Sequence, residues 1–373
     1  MALIPLNFGI DLGNEIGEEL QNQIFNLQRR TLRDASNPFE IPEEIFKGLY
    51  RLPKEIAMEL IDEIEPYLAG QIRITSVPNH LKVLCALHFY AQGNYQKAVD
   101  QDFLLGMSQP MVSRCINTIS EILSNHIGRR YIKFPSTVEE KRLLTQGFMN
   151  KFNFPGVIGC IDCTHIAIVA PPLEHPVHPG IAYLNRKGFH SINCQLICDS
   201  NLKILNCNAR YPGSTHDSAI WTMSNVIQHM EQTYGNGERG FWLLGDSGYP
   251  LQPWLLTPIE GAQQNTPEGR YTFSHSSVRN CVERCNGVLK MRFRCLLKHR
   301  VLHYTPVKAA EIINACCVLH NILVSHNIEV ELVEEDELVN DMEENVQENN
   351  LPLDDRLVAG RRIRNQLIRN YFN

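Results

Sequence analysis

A chain of 373 residues, 43% hydrophobic and 20% charged, is long enough for two or three domains with a sizeable core. No apolar run reaches the roughly 18 residues of a membrane span, and MALIPLNFGIDLGNEIGEEL, with no basic segment ahead of its apolar residues, does not read as a secretory signal. The net charge of −6 hides a contrast: residues 71–328 carry sixteen acids and twenty-four Lys or Arg, whereas 329–348 carry ten acids and neither base, so a body suited to a polyanion is flanked by acidic ends.

Residues 15–70 read as helical, punctuated by Pro42, Pro53 and Pro66, and 79–91 read as a buried helix broken at Gly93-Asn94. Residues 95–123 resolve into a short helix, a turn at Gly106 and a second helix that Ser108 is suited to cap. Gln109, Ser113, Arg114 and Asn117 lie among apolar residues on that second helix. This is a helix-turn-helix layout, able to offer polar side chains to a DNA groove, although helical hairpins that merely pack are common. The helical region extends over 1–135.

A linking helix over 137–152 opens the next domain, 136–328. Its segments 156–170, 190–199, 203–210 and 241–246 are short, apolar and partly β-branched, as strands are, and 254–259 (WLLTPI) reads as a further strand. Helices are expected over 215–230, 275–295 and 306–326, which makes the domain mixed α/β. An acidic linker, 329–355, follows, and the basic tail 356–373 regains helical spacing and could dock back on the body.

Most of the twelve cysteines sit in apolar segments, as buried thiols in a reducing compartment do. Cys160 and Cys163 form a CxxC, but within a strand the two thiols face opposite ways, which is poor zinc geometry.

Phosphodiester chemistry on two hard divalent cations calls for isolated acids at the ends of buried strands. Asp162 interrupts VIGCIDCTHIAIV, where an ionised carboxylate is costly unless paired or bound to metal. Asp246 follows the strand FWLLG, and Glu283 is the sole acid between 279 and 308, a stretch with eight Lys or Arg. Asp217 in GSTHD rivals Asp246 but also fits the first turn of a helix. GDSGY resembles the nucleophile segment of a serine protease only superficially, since no matching histidine segment accompanies it. His165, at an odd strand offset from Asp162, should point away from it and pack.

GVIGCIDCTHIAIVAP, YLNRKGFHSINCQLICD, YPGSTHDSAIW, LLGDSGYPLQPWLLTPI, VERCNGVLKMRFRCL and INACCVLHNIL resemble, in that order, the DDE domain of the PIF/Harbinger transposase family, and most of all its transposase-derived nucleases of animals. The resemblance spans roughly residues 80–326. It implies an RNase H-like DDE catalytic domain, a mixed sheet flanked by helices, and a divalent metal, Mg²⁺ or Mn²⁺, in a pair. It maps the catalytic acids onto Asp162, Asp246 and Glu283; these are the expected metal ligands, Asp162 shared by both ions, and the residue pattern keeps Asp217 as the alternative to Asp246. Asn185, Arg186, Lys187, Lys290, Arg292 and Arg294 are candidate contacts to DNA phosphates.

The expected activity is metal-dependent cleavage of DNA, by a domesticated nuclease or by an active transposase. A DNA-binding scaffold that has lost its chemistry is the competing class. The family further implies a nuclear role, with cytoplasmic residence and import aided by a separate Myb-like DNA-binding partner. MRFR and GRRIR are weak import signals by themselves. A dimer is one option for the assembly.

Overall fold

The computed structural model describes residues 37–68, 76–93, 105–328 and 355–373, with part of 20–34. Its contacts divide the chain into two compact units, Met1–Ile119 and Ser120–Asn373.

In the first unit, α1 (Glu43–Tyr50), α2 (Lys54–Ile64) and α3 (Asn79–Gln92) each begin directly after a proline, Pro42, Pro53 and Pro78. There the missing N–H forfeits no helical bond. Pro66 lies in the 3-10 turn Glu65–Tyr67 that ends α2. Helix α3 is buried from Val83 to Ala91, and Gly93, at φ 62°, supplies the left-handed residue that stops it. Phe46 and Tyr50 of α1 pack ring to ring, and Gln92 Nε2 donates to Gly48 O at 2.8 Å. Helix α4 (Gln109–Glu121) is the second helix of the expected pair; the first falls largely on 94–104, outside the described residues. Val112, Cys115, Ile116 and Ile119 are buried, Gln109 and Arg114 are exposed, and Ser113 and Asn117 lie in between.

The division at Ile119 falls before the expected 135/136 boundary for a local reason. A π-helical stretch, Ile122–Ile127, and the short α5 (Gly128–Tyr131) pack on a later helix, α11 (Pro306–Ser325). Asn314 Nδ2 donates to Ser124 Oγ at 3.1 Å, and Asn321 Nδ2 to Tyr131 O at 2.9 Å. Helix α6 (Val138–Phe152) then starts from a capping box, in which Glu140 N donates to Thr137 Oγ1 and Thr137 N to Glu140 Oε2.

One five-stranded sheet follows, in the order β3-β2-β1-β4-β5. Strands β1 (Val157–Ala167), β2 (Ser191–Cys198) and β3 (Ile204–Pro212) pair antiparallel; β4 (Trp242–Leu244) and β5 (Leu255–Leu256) run parallel to β1. Every residue of β2 is buried, so the sheet is covered on both faces. The helix expected over 215–230 is two, α8 (Asp217–Thr222) and α9 (Asn225–Gly235), because Ser224 Oγ accepts from Ile227 N and starts a second helix. A short α7 (Gly180–Tyr183) lies between β1 and β2. One core joins Ile161, Ile197, Leu205, Trp221, Leu243 and Leu255, with Trp221 Nε1 donating to Gln252 Oε1 at 2.9 Å. Elsewhere α10 (Pro267–Arg292) lies on β1 and β2, and α11 lies on β3.

Composition alone would let α11 cross a bilayer, contrary to the expectation that no segment could. It is 67% buried over its most apolar window and serves as a core helix. The basic tail forms α12 (Asp355–Tyr371) and does dock back: Arg364 Nη1 donates to Thr257 O and Pro258 O, Arg270 Nε donates to Phe372 O, and Arg356 pairs with Glu231. All twelve cysteines are free thiols.

Asn321, fully buried on α11, accepts from Ile204 N at 2.8 Å and donates to Ile204 O at 2.7 Å, pinning the start of β3. Asn321→Ala leaves those backbone groups without partners. It should cost about 3 kcal/mol, read as a lower urea midpoint at unchanged m-value.

Candidate active site

The parallel pairing of β1 with β4 positions the first two acids. Cys160 is in register with Leu244. Asp162 stands two residues further along β1 and Asp246 two residues past Leu244, beyond the end of β4, so the pairing brings both acids to the same end of the sheet. Gly245 makes that approach possible, since a Cβ there would come within 3.0 Å of the Tyr249 ring and 3.2 Å of Ile161 Cγ2. Beyond it the chain turns, and Gly248 N donates to Asp246 Oδ1 at 3.0 Å. Tyr249 is buried, its hydroxyl 3.4 Å from Cys163 Sγ and from Gln195 Nε2. GDSGY is thus a strand end, a metal-ligand candidate and a turn.

Helix α10 carries the third acid. It starts at Thr266, whose Oγ1 accepts from Gly269 N at 3.1 Å, with Pro267 in its first turn. Cys160 Sγ donates to Val278 O at 3.6 Å and Cys281 Sγ lies 3.8 Å from Cys198 Sγ, which fixes the helix's rotation on the sheet. Cys160 therefore faces α10 while Cys163 faces Tyr249, the opposed thiols expected of a strand. With α10 so turned, Arg279 lies over Asp162, and Glu283 follows it one helical turn on. Arg279 Nη1 is 3.7 Å from Asp162 Oδ1, and Arg279 Nη2 pairs with Glu283 Oε1. With its amide oriented to satisfy both neighbours, Asn280 Nδ2 donates to Ser276 O at 3.0 Å and to Glu283 Oε2 at 3.3 Å.

Arg279 is the charge around which the acids gather. Burial works against its charged form, but Asp162, Glu283 and Asp246 outweigh burial and hold it above the ordinary guanidinium value. Burial likewise pushes the Asp246 carboxyl up from the usual range; Arg279 opposes this, Asp217 adds to it, and Gly248 N–H and Arg186 oppose it. The three acids are oxygen donors, the set a hard divalent cation takes. Among the described residues no three His, Cys, Asp or Glu side chains stand close enough together to hold an ion in this arrangement. The donor chemistry fits a metal, and in this arrangement the Arg279 guanidinium is the cation that contacts Asp162 and Glu283.

Asp217 opens α8, and its Oδ1 accepts from Asn193 Nδ2 at 2.8 Å. No side chain caps that helix, and Asp217 is its first-turn acid. Asp217 nonetheless lies near enough to Asp246 to act on its carboxyl. His165 packs as expected. It shares a hydrogen bond of 3.0 Å with Ser191 Oγ and meets Phe189 edge-on. Burial holds its imidazole down to about 4, with Asp217 opposing and Lys187, Lys290 and Arg186 adding.

Those three cations border the site. Arg186 and Lys187 are exposed on the loop before β2, and Lys290 is half-buried near the end of α10. Two expected phosphate contacts need correction. Asn185 is only 4% exposed: its Oδ1 accepts from Lys187 N and Phe189 N, and its Nδ2 donates to Ser191 Oγ, so it shapes the loop. Arg292 is 7% exposed and turned inward, bonding the His320 imidazole at 3.3 Å and the Ile328 carbonyl; burial lowers it to about 10. Arg294 is half-buried in the 3-10 turn after α10. Two residues escaped the sequence reading. Arg279 sits four before Glu283, a spacing that signals a helical ion pair. Lys298, 4.8 Å above the Phe189 ring, gives no local signal.

Residues 161–321 match the model of the DDE superfamily endonucleases. The human protein named "Putative nuclease HARBI1" is 32% identical over 82% of this chain and 85% of its own length, and its mouse counterpart is 33% identical over the same shares. A "Protein ALP1-like" of Arabidopsis thaliana is 27% identical over 65% of this chain and 60% of its own. No solved structure gives a significant match. With that likeness running over most of both chains, and the DDE endonuclease match lying on the sheet that carries the acids, the chain belongs to the Harbinger transposase-derived nuclease family of HARBI1.

Proposed function

We propose that this chain is a divalent-metal-dependent DNA endonuclease with an RNase H-like core, its metal pair held by Asp162, Asp246 and Glu283. The observation that carries this reading is the gathering of three acids, from β1, the end of β4 and α10, around one cation. Two divalent ions, Mg²⁺ or Mn²⁺, when bound supply the charge and the in-line activation that phosphodiester cleavage requires. Asp162, on the central strand β1, would be the ligand shared by both ions. Asp217 is the alternative to Asp246 as second ligand.

The other residues position DNA. Arg186, Lys187 and Lys290 would grip the backbone beside the acids, and Arg294 would extend that grip. Gln109 and Arg114, on the exposed side of α4, would meet a groove, with Ser113 and Asn117 beside them. On the same reading the chain acts in the nucleus and resides also in the cytoplasm, with a Myb-like DNA-binding partner aiding import.

Plasmid nicking tests the chemistry. Wild type should nick supercoiled DNA in Mg²⁺ or Mn²⁺ and stop in EDTA, and Asp162→Asn and Glu283→Gln should fall to background. Full activity in either variant would overturn the assignment. Lys290→Ala should weaken DNA binding for all sequences alike and flatten the salt dependence by about 0.9 in log–log slope. An unchanged slope would remove Lys290 from the phosphate path.

Asp246 carries a stability cost at the same site. Its raised carboxyl means the folded state holds that proton more tightly than the unfolded state. Stability therefore falls as pH rises from the ordinary carboxylate range through the raised value, and the loss is complete above it. In EDTA at pH 7, Asp246→Asn should melt higher than wild type, and the gain should vanish near pH 4. Equal melting temperatures at pH 7 would show that the ionised carboxylate costs nothing there.

A further inference from the structure

The arrangement of α10 over β1 points to a role for Arg279 that the nuclease reading does not supply. We propose that Arg279 is a tethered counter-ion that occupies the metal position of the acidic site, and that divalent metal must displace it to load. The inference rests on the reading of Asp162, Asp246 and Glu283 as metal ligands.

Three observations carry it. The guanidinium reaches two of the three acids directly, Asp162 Oδ1 at 3.7 Å and Glu283 Oε1 in a hydrogen-bonded ion pair. It is itself only 19% exposed, so it lies within the cluster and not above it. As placed, no three described acids, histidines or cysteines converge on one point. A guanidinium is planar and several ångströms across, and carboxylates arranged around it stand further apart than a metal ion of about 2.1 Å bond length allows. The carboxylates can close on a metal only as the guanidinium leaves. A metal and Arg279 therefore compete for the same oxygens, and the apparent metal affinity is the intrinsic one reduced by the fraction of time Arg279 is out.

Arg279 is thus a positioning residue. Without metal it offsets the like charges of Asp162 and Glu283, both of which it contacts, and of Asp246, whose field it also feels. Asn280, which also touches Glu283 but carries no charge, is the built-in control.

The test is Mn²⁺ titration of the full chain, without DNA, followed by thermal unfolding and by calorimetry. Arg279→Gln should melt lower than wild type in EDTA and bind Mn²⁺ about tenfold more tightly if the guanidinium is engaged nine-tenths of the time. It should therefore gain more stability from a given Mn²⁺ concentration. Arg279→Lys, which keeps the charge on one shorter-reaching nitrogen without the planar fork, should fall in between, and Asn280→Ala should show no such tightening. If Arg279→Gln folds only when Mn²⁺ is present, that rescue supports displacement as well. Equal or weaker Mn²⁺ binding by Arg279→Gln and Arg279→Lys would overturn the proposal while leaving the metal site standing. Mn²⁺ binding that is absent from wild type and Arg279→Gln alike, or that survives Asp162→Asn and Glu283→Gln, would overturn the metal site and the proposal together.

Discussion

The parallel pairing of β1 with β4 brings Asp162 and Asp246 to one end of the sheet, where both act on the Arg279 guanidinium, and acids so gathered repel unless a cation lies nearby. The surroundings answer that demand. α10 brings in both Arg279 and Glu283; the turn after β4 offers Gly248 N–H; Arg186 comes in from the loop before β2. Partly screened from water, the acids interact more strongly with one another and with the cation than they would at the surface. The local design follows from charge and not from apolar packing.

Packing decides where that charge sits. The contact between α10 and the sheet includes four cysteines, with Cys160 against the Val278 carbonyl, Cys198 against Cys281, and Cys285 against the Leu202 carbonyl. A thiol is smaller than a leucine side chain and tolerates close approach of backbone. The helix can therefore lie low on β1 and β2, and Arg279 comes within reach of Asp162.

Much of this was legible in the sequence. A charge interrupting VIGCIDCTHIAIV has no cheap structural use, so Asp162 stood out, and the apolar runs located β1 to β4 within a few residues. The strand expected over 254–259 shortens to Leu255–Leu256, with Pro253 before it and Pro258 after it. Arg292 and Asn185 both look like exposed polar residues in a basic stretch, yet Arg292 bonds the His320 imidazole and the Ile328 carbonyl, which only the folded chain brings near, and Asn185 folds its own loop by accepting from Lys187 N and Phe189 N. Arg279 was missed because its meaning depends on the rotation of α10 over the sheet, which no local pattern encodes. The first helix of the expected helix-turn-helix lies outside the described residues, so that motif is not established by its second helix.

The docked tail has a consequence for the sheet itself. β5 ends the sheet with only two residues, and a sheet edge is a template on which a foreign strand can add. Helix α12 lies against this edge, with Gly360 set so tightly that a Cβ would come within 3.0 Å of the Gln252 backbone, and with Arg364 occupying the carbonyls of Thr257 and Pro258. The hydrogen-bonding groups beyond β5 are thereby spent on a helix drawn from the far end of the same chain. Whatever else this helix does, it guards the nuclease against strand addition at that edge, the first step of a β-type aggregate.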